Sequence, residues 1–150
     1  MNFAPKNTAD DETARRKVLL YGHHGWGKTT QLKHFQEEYG KGFILSGESG
    51  LSSIRQAKID YLPFTSWGGQ STPDKNEYSF IDIFKWTRTD EFAKQGYKWI
   101  GIDSLTELSD MSYKFAEAEA KAQAEKLGKK NADGFAVWGN HAQQLIGACK

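Results

Sequence analysis

Cysteine is nearly absent: Cys149 is the only thiol in 150 residues, so no intramolecular disulfide can form. That excludes the disulfide-stapled secreted scaffolds and fits a reducing, intracellular setting. Cys149 itself reads as a small buried hydrophobe on a helix, not a reactive thiol. An excess of one charge is missing too. The net charge of +1 gives no overall bias toward nucleic acid or an anionic membrane. There is no signal-peptide pattern and no apolar run long enough to span a bilayer, so the chain reads as soluble and cytoplasmic, without a membrane partner. What is present is 38% hydrophobic and 13% aromatic residues over the length of one ordinary domain, enough for a real core.

The stretch Gly22-His23-His24-Gly25-Trp26-Gly27-Lys28-Thr29 fits G-x-x-x-x-G-K-[ST], the phosphate-binding P-loop. An apolar run, Val18 to Tyr21, precedes it and a helix-like Thr30 to Phe35 follows, the strand–loop–helix context the motif requires. Glycines let the backbone curl so that successive N–H groups face phosphate oxygens, and the new helix aims its positive end at the same anion. The backbone from Gly22 to Thr30 is therefore the expected nucleotide cradle. Lys28 would reach the β and γ phosphates, and the Thr29 hydroxyl would ligate Mg²⁺. The alternative is a Gly-rich turn that matches by chance, which the flanking pattern disfavours.

Residues 1–16 are polar and mixed in charge and read as a mobile leader, leaving 17–150 as the core domain. Lys17 to Tyr21 has the unbroken apolar character of a strand buried on both faces of a parallel sheet. The helix after the P-loop should stop near Tyr39, before Gly40 and Gly42. A second strand, Phe43 to Ser46, ends in Gly47-Glu48-Ser49-Gly50. Ile59 to Phe64 reads as a third strand, with Pro63 arguing for an edge position. Trp67 to Asn76 reads as loop. Helical spacing of Phe80, Ile83, Phe84 and Thr87 predicts one helix from Tyr78 to about Ala93. Tyr97 to Asp103 follows as a fourth strand. This alternation predicts an α/β sandwich with a parallel sheet.

Asp103 ends an apolar strand, the end at which ligands bind in open α/β sheets, so its carboxylate can face the phosphates and hold Mg²⁺. An aspartate there is also commonly the N-cap of the next helix. Glu48, just past the second strand on the same side, can orient the attacking water or take its proton. Taken alone, it reads more simply as a solvated loop glutamate.

Three segments carry a resemblance: Tyr21 to Thr30, Phe43 to Leu51, and Trp99 to Leu105. In order and spacing they resemble the RecA-like branch of the P-loop ATPases. More closely, they are similar to phage-encoded ATP-binding proteins of that branch, some of which act as single-strand annealing recombinases. The similarity runs from about Lys17 to Ser109. It implies a RecA-like three-layer sandwich, ATP and Mg²⁺ as cofactors, and ATP hydrolysis with Glu48 as general base. It also implies single-stranded DNA and a homo-oligomer as partners, in the cytoplasm of a phage-infected host. The loop departs from the family in carrying His23, His24 and Trp26 where small residues or proline are usual. The chain also reaches Lys150 before the strand that in this branch lies between the P-loop and Asp103 strands, so it reads as C-terminally truncated. On that basis Lys17–Tyr21 and Trp99–Asp103 should not be hydrogen-bonded neighbours, and the isolated chain should be marginally stable and a weak ATPase.

The remainder is helical. Leu105, Leu108, Met111, Phe115, Ala118 and Ala122 form an apolar stripe that thins to alanine, so its far end should project into solvent or meet a partner. Lys126, Lys129 and Lys130 read as a solvated turn, with contact to a nucleic-acid backbone as the alternative. Trp138, Ala142, Leu145, Ile146 and Cys149 mark a last amphipathic helix from Phe135. The rival functions are a small-molecule phosphotransferase using the same loop, and a nucleotide-binding module that does not turn over. The first would want arginines gripping the transferred group, and Arg15, Arg16, Arg55 and Arg88 are not clustered at the phosphate end.

Overall fold

The computed structural model describes residues 17–48, 50–129 and 131–149. The leader 1–16, Ser49, Lys130 and the Cys149 side chain lie outside the described residues, so the expectations that fall on them are not taken further. In chain order the elements are α1 (Lys28–Tyr39), β1 (Gly42–Ser46), β2 (Asp60–Pro63), α2 (Phe80–Trp86), α3 (Asp90–Lys94), β3 (Trp99–Asp103), α4 (Leu105–Lys126) and α5 (Gly134–Cys149). Short 3₁₀ turns cover Gly50–Ala57 and Pro73–Lys75.

The strands form a three-stranded parallel sheet in the order β2-β1-β3. Central β1 is buried along its whole length, as a continuous Phe43-Ile44-Leu45 run requires when both faces are covered. Alternation sends Phe43 and Leu45 into a core with Phe64, Trp67, Phe80, Ile83, Phe92 and Leu108. Ile44 serves the opposite face, where Leu32 of α1 approaches Gly101. β2 lies at the edge, as Pro63 predicts.

The expected first strand is corrected. Lys17–Tyr21 forms no strand, and Val18, Leu19 and Tyr21 are exposed at 60%, 71% and 96%. An apolar run becomes a strand only by pairing, and the two ladders among the described residues join β1 to β2 and β1 to β3. With no strand at Lys17–Tyr21, the expectation about its spacing from β3 does not arise.

The single helix predicted from Tyr78 to Ala93 is two. Ser79 Oγ accepts from Asp82 N to start α2, and Thr89 Oγ1 accepts from Phe92 N to start α3. The break lets Phe92 turn inward onto Phe43, with ring centroids 5.3 Å apart. Trp67, read as loop, is core: it is 4% exposed and stacks on Phe80 at 5.4 Å.

The predicted stripe on α4 is rotated in its far half. Leu108, Ser112, Ala116, Ala120 and Ala124 are buried, while Ala118, Ala122 and Leu105 are exposed. That four-residue row of small side chains packs against α5, so the far end meets this same chain, not solvent. The face of α5 shifts with it. Val137 and His141 are buried, whereas Trp138 and Ile146 are 61% and 49% exposed. A polar chain fixes this rotation: Ser112 Oγ donates to Gln144 Oε1 at 2.8 Å, and His141 Nδ1 lies 3.1 Å from Ser112 Oγ.

Asp82 provides a pH-dependent tie. Ser71 Oγ donates to its carboxylate at 2.6 Å, and this bond is the largest cause holding the carboxyl below its ordinary value. A folded-state value below the unfolded one adds stability above the usual carboxylate range, and that stability is lost as pH falls through the lowered value. Ser71→Ala should therefore cost about 1 kcal/mol near neutral pH and progressively less in acid. Urea unfolding across that range checks this; an equal loss in strong acid would assign the effect to packing.

Candidate functional site

The glycine loop turns as its motif demands. Gly25 and Gly27 adopt φ of 80° and 79°, the left-handed region where a side chain is strained, and α1 begins at once with Lys28. The loop leaves Gly22, His23, His24, Gly25, Trp26 and Gly27 at the head of α1, with Thr29 and Thr30 in its first turn. Trp26 is 72% exposed and meets His23 edge-on, with centroids 5.0 Å apart. Lys28 Nζ curls back to donate to the carbonyls of Gly22 and His23 at 2.8 and 2.9 Å.

The carboxylates arrive from the sheet. Asp103 ends β3, and its Oδ2 accepts from Thr29 Oγ1 at 2.9 Å, across 74 residues of sequence. Burial is the main cause raising the Asp103 carboxyl above its ordinary value, and neighbouring Glu48 pushes the same way. The Thr29 hydrogen bond and the Lys28 charge oppose them. Glu48 leaves the end of β1 exposed to solvent. Its position is closely set, because a Cβ on the preceding Gly47 would come within 2.6 Å of Phe64 Cζ. Gly47 N donates to Asp103 O at 2.7 Å, and Ser46 Oγ donates to Glu48 O at 2.7 Å. The ends of β1 and β3 are thus zipped together beside the loop.

The structure therefore brings Lys28, Thr29, Glu48 and Asp103 to one end of the sheet. Lys126 and Lys129 are at the far end of the 22-residue α4, about 33 Å away along the helix. Arg88 is also occupied elsewhere, its guanidinium 4.4 Å from the Phe84 ring centroid. Sequence reasoning missed Ser104, whose Oγ donates to Glu48 Oε1 while accepting from Glu107 N at 3.4 Å. The Ser104-x-x-Glu107 spacing is a helix-start signal that marks this serine.

The donor set suits a phosphate-bound Mg²⁺. One hydroxyl and one carboxylate are paired at a glycine loop, and Mg²⁺ takes few protein ligands, with phosphate and water completing its octahedron. No group of three or more His, Cys, Asp or Glu that could hold a metal occurs among the described residues.

A left-handed glycine loop at a helix start, facing an aspartate on a parallel strand, defines a P-loop nucleotide site on an α/β fold. A family match described as an AAA domain covers residues 14–150, and the chain belongs to that family of P-loop ATPases. Such ATPases generally bind ATP with Mg²⁺. Neither a curated protein nor a solved structure gives a significant match. No helix among the described residues is long and apolar enough to cross a membrane.

Proposed function

We propose that this chain binds Mg·ATP and hydrolyses it in a RecA-like arrangement. The observation that carries the reading is the Thr29–Asp103 hydrogen bond, which joins the loop to the end of β3 where Mg²⁺ would be held. Backbone amides from His24 to Thr30 would receive phosphate oxygens, and Lys28 would exchange its loop carbonyls for the β and γ oxygens. When bound, Mg²⁺ neutralises charge on those oxygens. Glu48 would take a proton from the water attacking the γ-phosphorus, as the bond to the β–γ bridging oxygen breaks. What supports the RecA-like branch is the acid just past β1, Glu48, on the strand that pairs directly with the Asp103 strand.

Lys28→Ala should weaken Mg·ATP binding by about 1.5–3 kcal/mol, the range for a charge-assisted contact. Calorimetric titration decides it; unchanged affinity would remove the loop from the site. The three motif segments, by their resemblance to phage ATP-binding proteins, extend the reading to DNA recombination or annealing, with single-stranded DNA and self-association as partners. ATPase rates with and without single-stranded DNA test that extension. Binding without turnover would leave a nucleotide-binding module. The phosphotransferase reading would want arginines gripping the transferred group, and Arg88 is stacked on the Phe84 ring.

A further inference from the structure

We propose that Ser104 is the positioning residue for Glu48, holding its carboxylate over the phosphate end of the sheet. The proposal rests on the reading of Glu48 as general base. Glu48 is exposed and flexible by type, and its backbone carbonyl is held by Ser46 Oγ at 2.7 Å. Among the described residues, the hydrogen bond that orients the carboxylate comes from Ser104, whose hydroxyl donates to Glu48 Oε1. The geometry is suited to the task. Ser104 follows Asp103 directly, so the same backbone that places the Mg²⁺-side carboxylate also places the hydroxyl that steers the base.

Ser104 Oγ also accepts from Glu107 N at 3.4 Å, so its single proton goes to Glu48 and its lone pair to the helix start. The base is thereby tied to the first turn of α4. Without the hydroxyl, Glu48 would sample solvent rotamers, and water would meet a correctly oriented carboxylate in fewer encounters. Misplacement of a catalytic group on this scale lowers turnover by about 10–100-fold and leaves nucleotide binding alone.

The test separates orientation from helix capping. Ser104→Thr keeps both donor and cap. Ser104→Gly loses the donor while keeping most of the cap stability, since glycine is within a few tenths of a kcal/mol of serine at that position. Ser104→Ala loses both. Thermal melting, kcat and KM for ATP are measured on each, and Ser104→Ala is repeated in a Glu48→Gln background. The expected result is near-parent kcat for Thr and about 10-fold or lower kcat for Gly and Ala, with KM unchanged and no further loss once Glu48 is Gln. Parent-level kcat in the Gly chain, a matching rise in KM, or a further drop in the double variant would each overturn the proposal. If Glu48→Gln alone turns over at the parent rate, the base reading itself fails and this one with it. If Glu48→Gln is inactive and Ser104→Gly is not, only the positioning role fails.

Discussion

A Glu48→Gln chain is expected to bind Mg·ATP as the parent does and to hydrolyse it about 10²–10⁴-fold more slowly. Glutamine keeps the size of glutamate, and its Oε1 can still accept from Ser104 Oγ, so the local geometry is retained. What it loses is the ability to take a proton from water. Affinity measured by calorimetry and phosphate release measured in a single turnover separate the two effects. Parent-rate release would make Glu48 an ordinary exposed residue at the end of β1 and would weaken the RecA-like assignment.

Phe80→Ala should be the most damaging substitution for the fold. Phe80 is fully buried at the start of α2, with Phe64, Trp67 and Phe84 at centroid distances of 5.5, 5.4 and 5.7 Å. Truncating a buried aromatic costs about 3–5 kcal/mol, through lost transfer energy and an unfilled cavity. Domains are stable by only about 5–15 kcal/mol, so this approaches the whole margin. Leu19→Ala is the contrast: at 71% exposure it should change stability by no more than about 0.5 kcal/mol. Urea denaturation of both chains checks the pair, and a large loss for Leu19→Ala would show that 17–21 is buried in solution after all.

The site was legible because its chemistry is local in sequence. A glycine loop, its lysine and the helix start occupy consecutive residues, so Gly22 to Thr30 announce themselves without knowledge of the fold. Asp103 and Glu48 were legible as strand ends, since apolar runs stopping at an acid mark the carboxyl edge of a parallel sheet. What failed depends on partners distant in sequence. Val18 to Tyr21 has the composition of a strand, but composition cannot supply the neighbour that a ladder needs. Trp67 sits among glycine, serine and proline, which hides its stacking on Phe80. On α4 and α5 the large side chains suggested the buried faces. Yet close helix approach favours alanine and serine, and the Ser112–Gln144–His141 contacts set the rotation. Ser104 escaped because a hydroxyl has no fixed role until its acceptor is known.

The ammonium of Lys28 folds the loop back on itself. Its two bonds of 2.8 and 2.9 Å to the carbonyls of Gly22 and His23 brace the entering arm against the first turn of α1, and the Trp26 indole meets that arm at its edge through His23. One side chain thus links the arm, the helix start and a solvent-facing indole, so the emission of Trp26 is placed to register rearrangement of the arm.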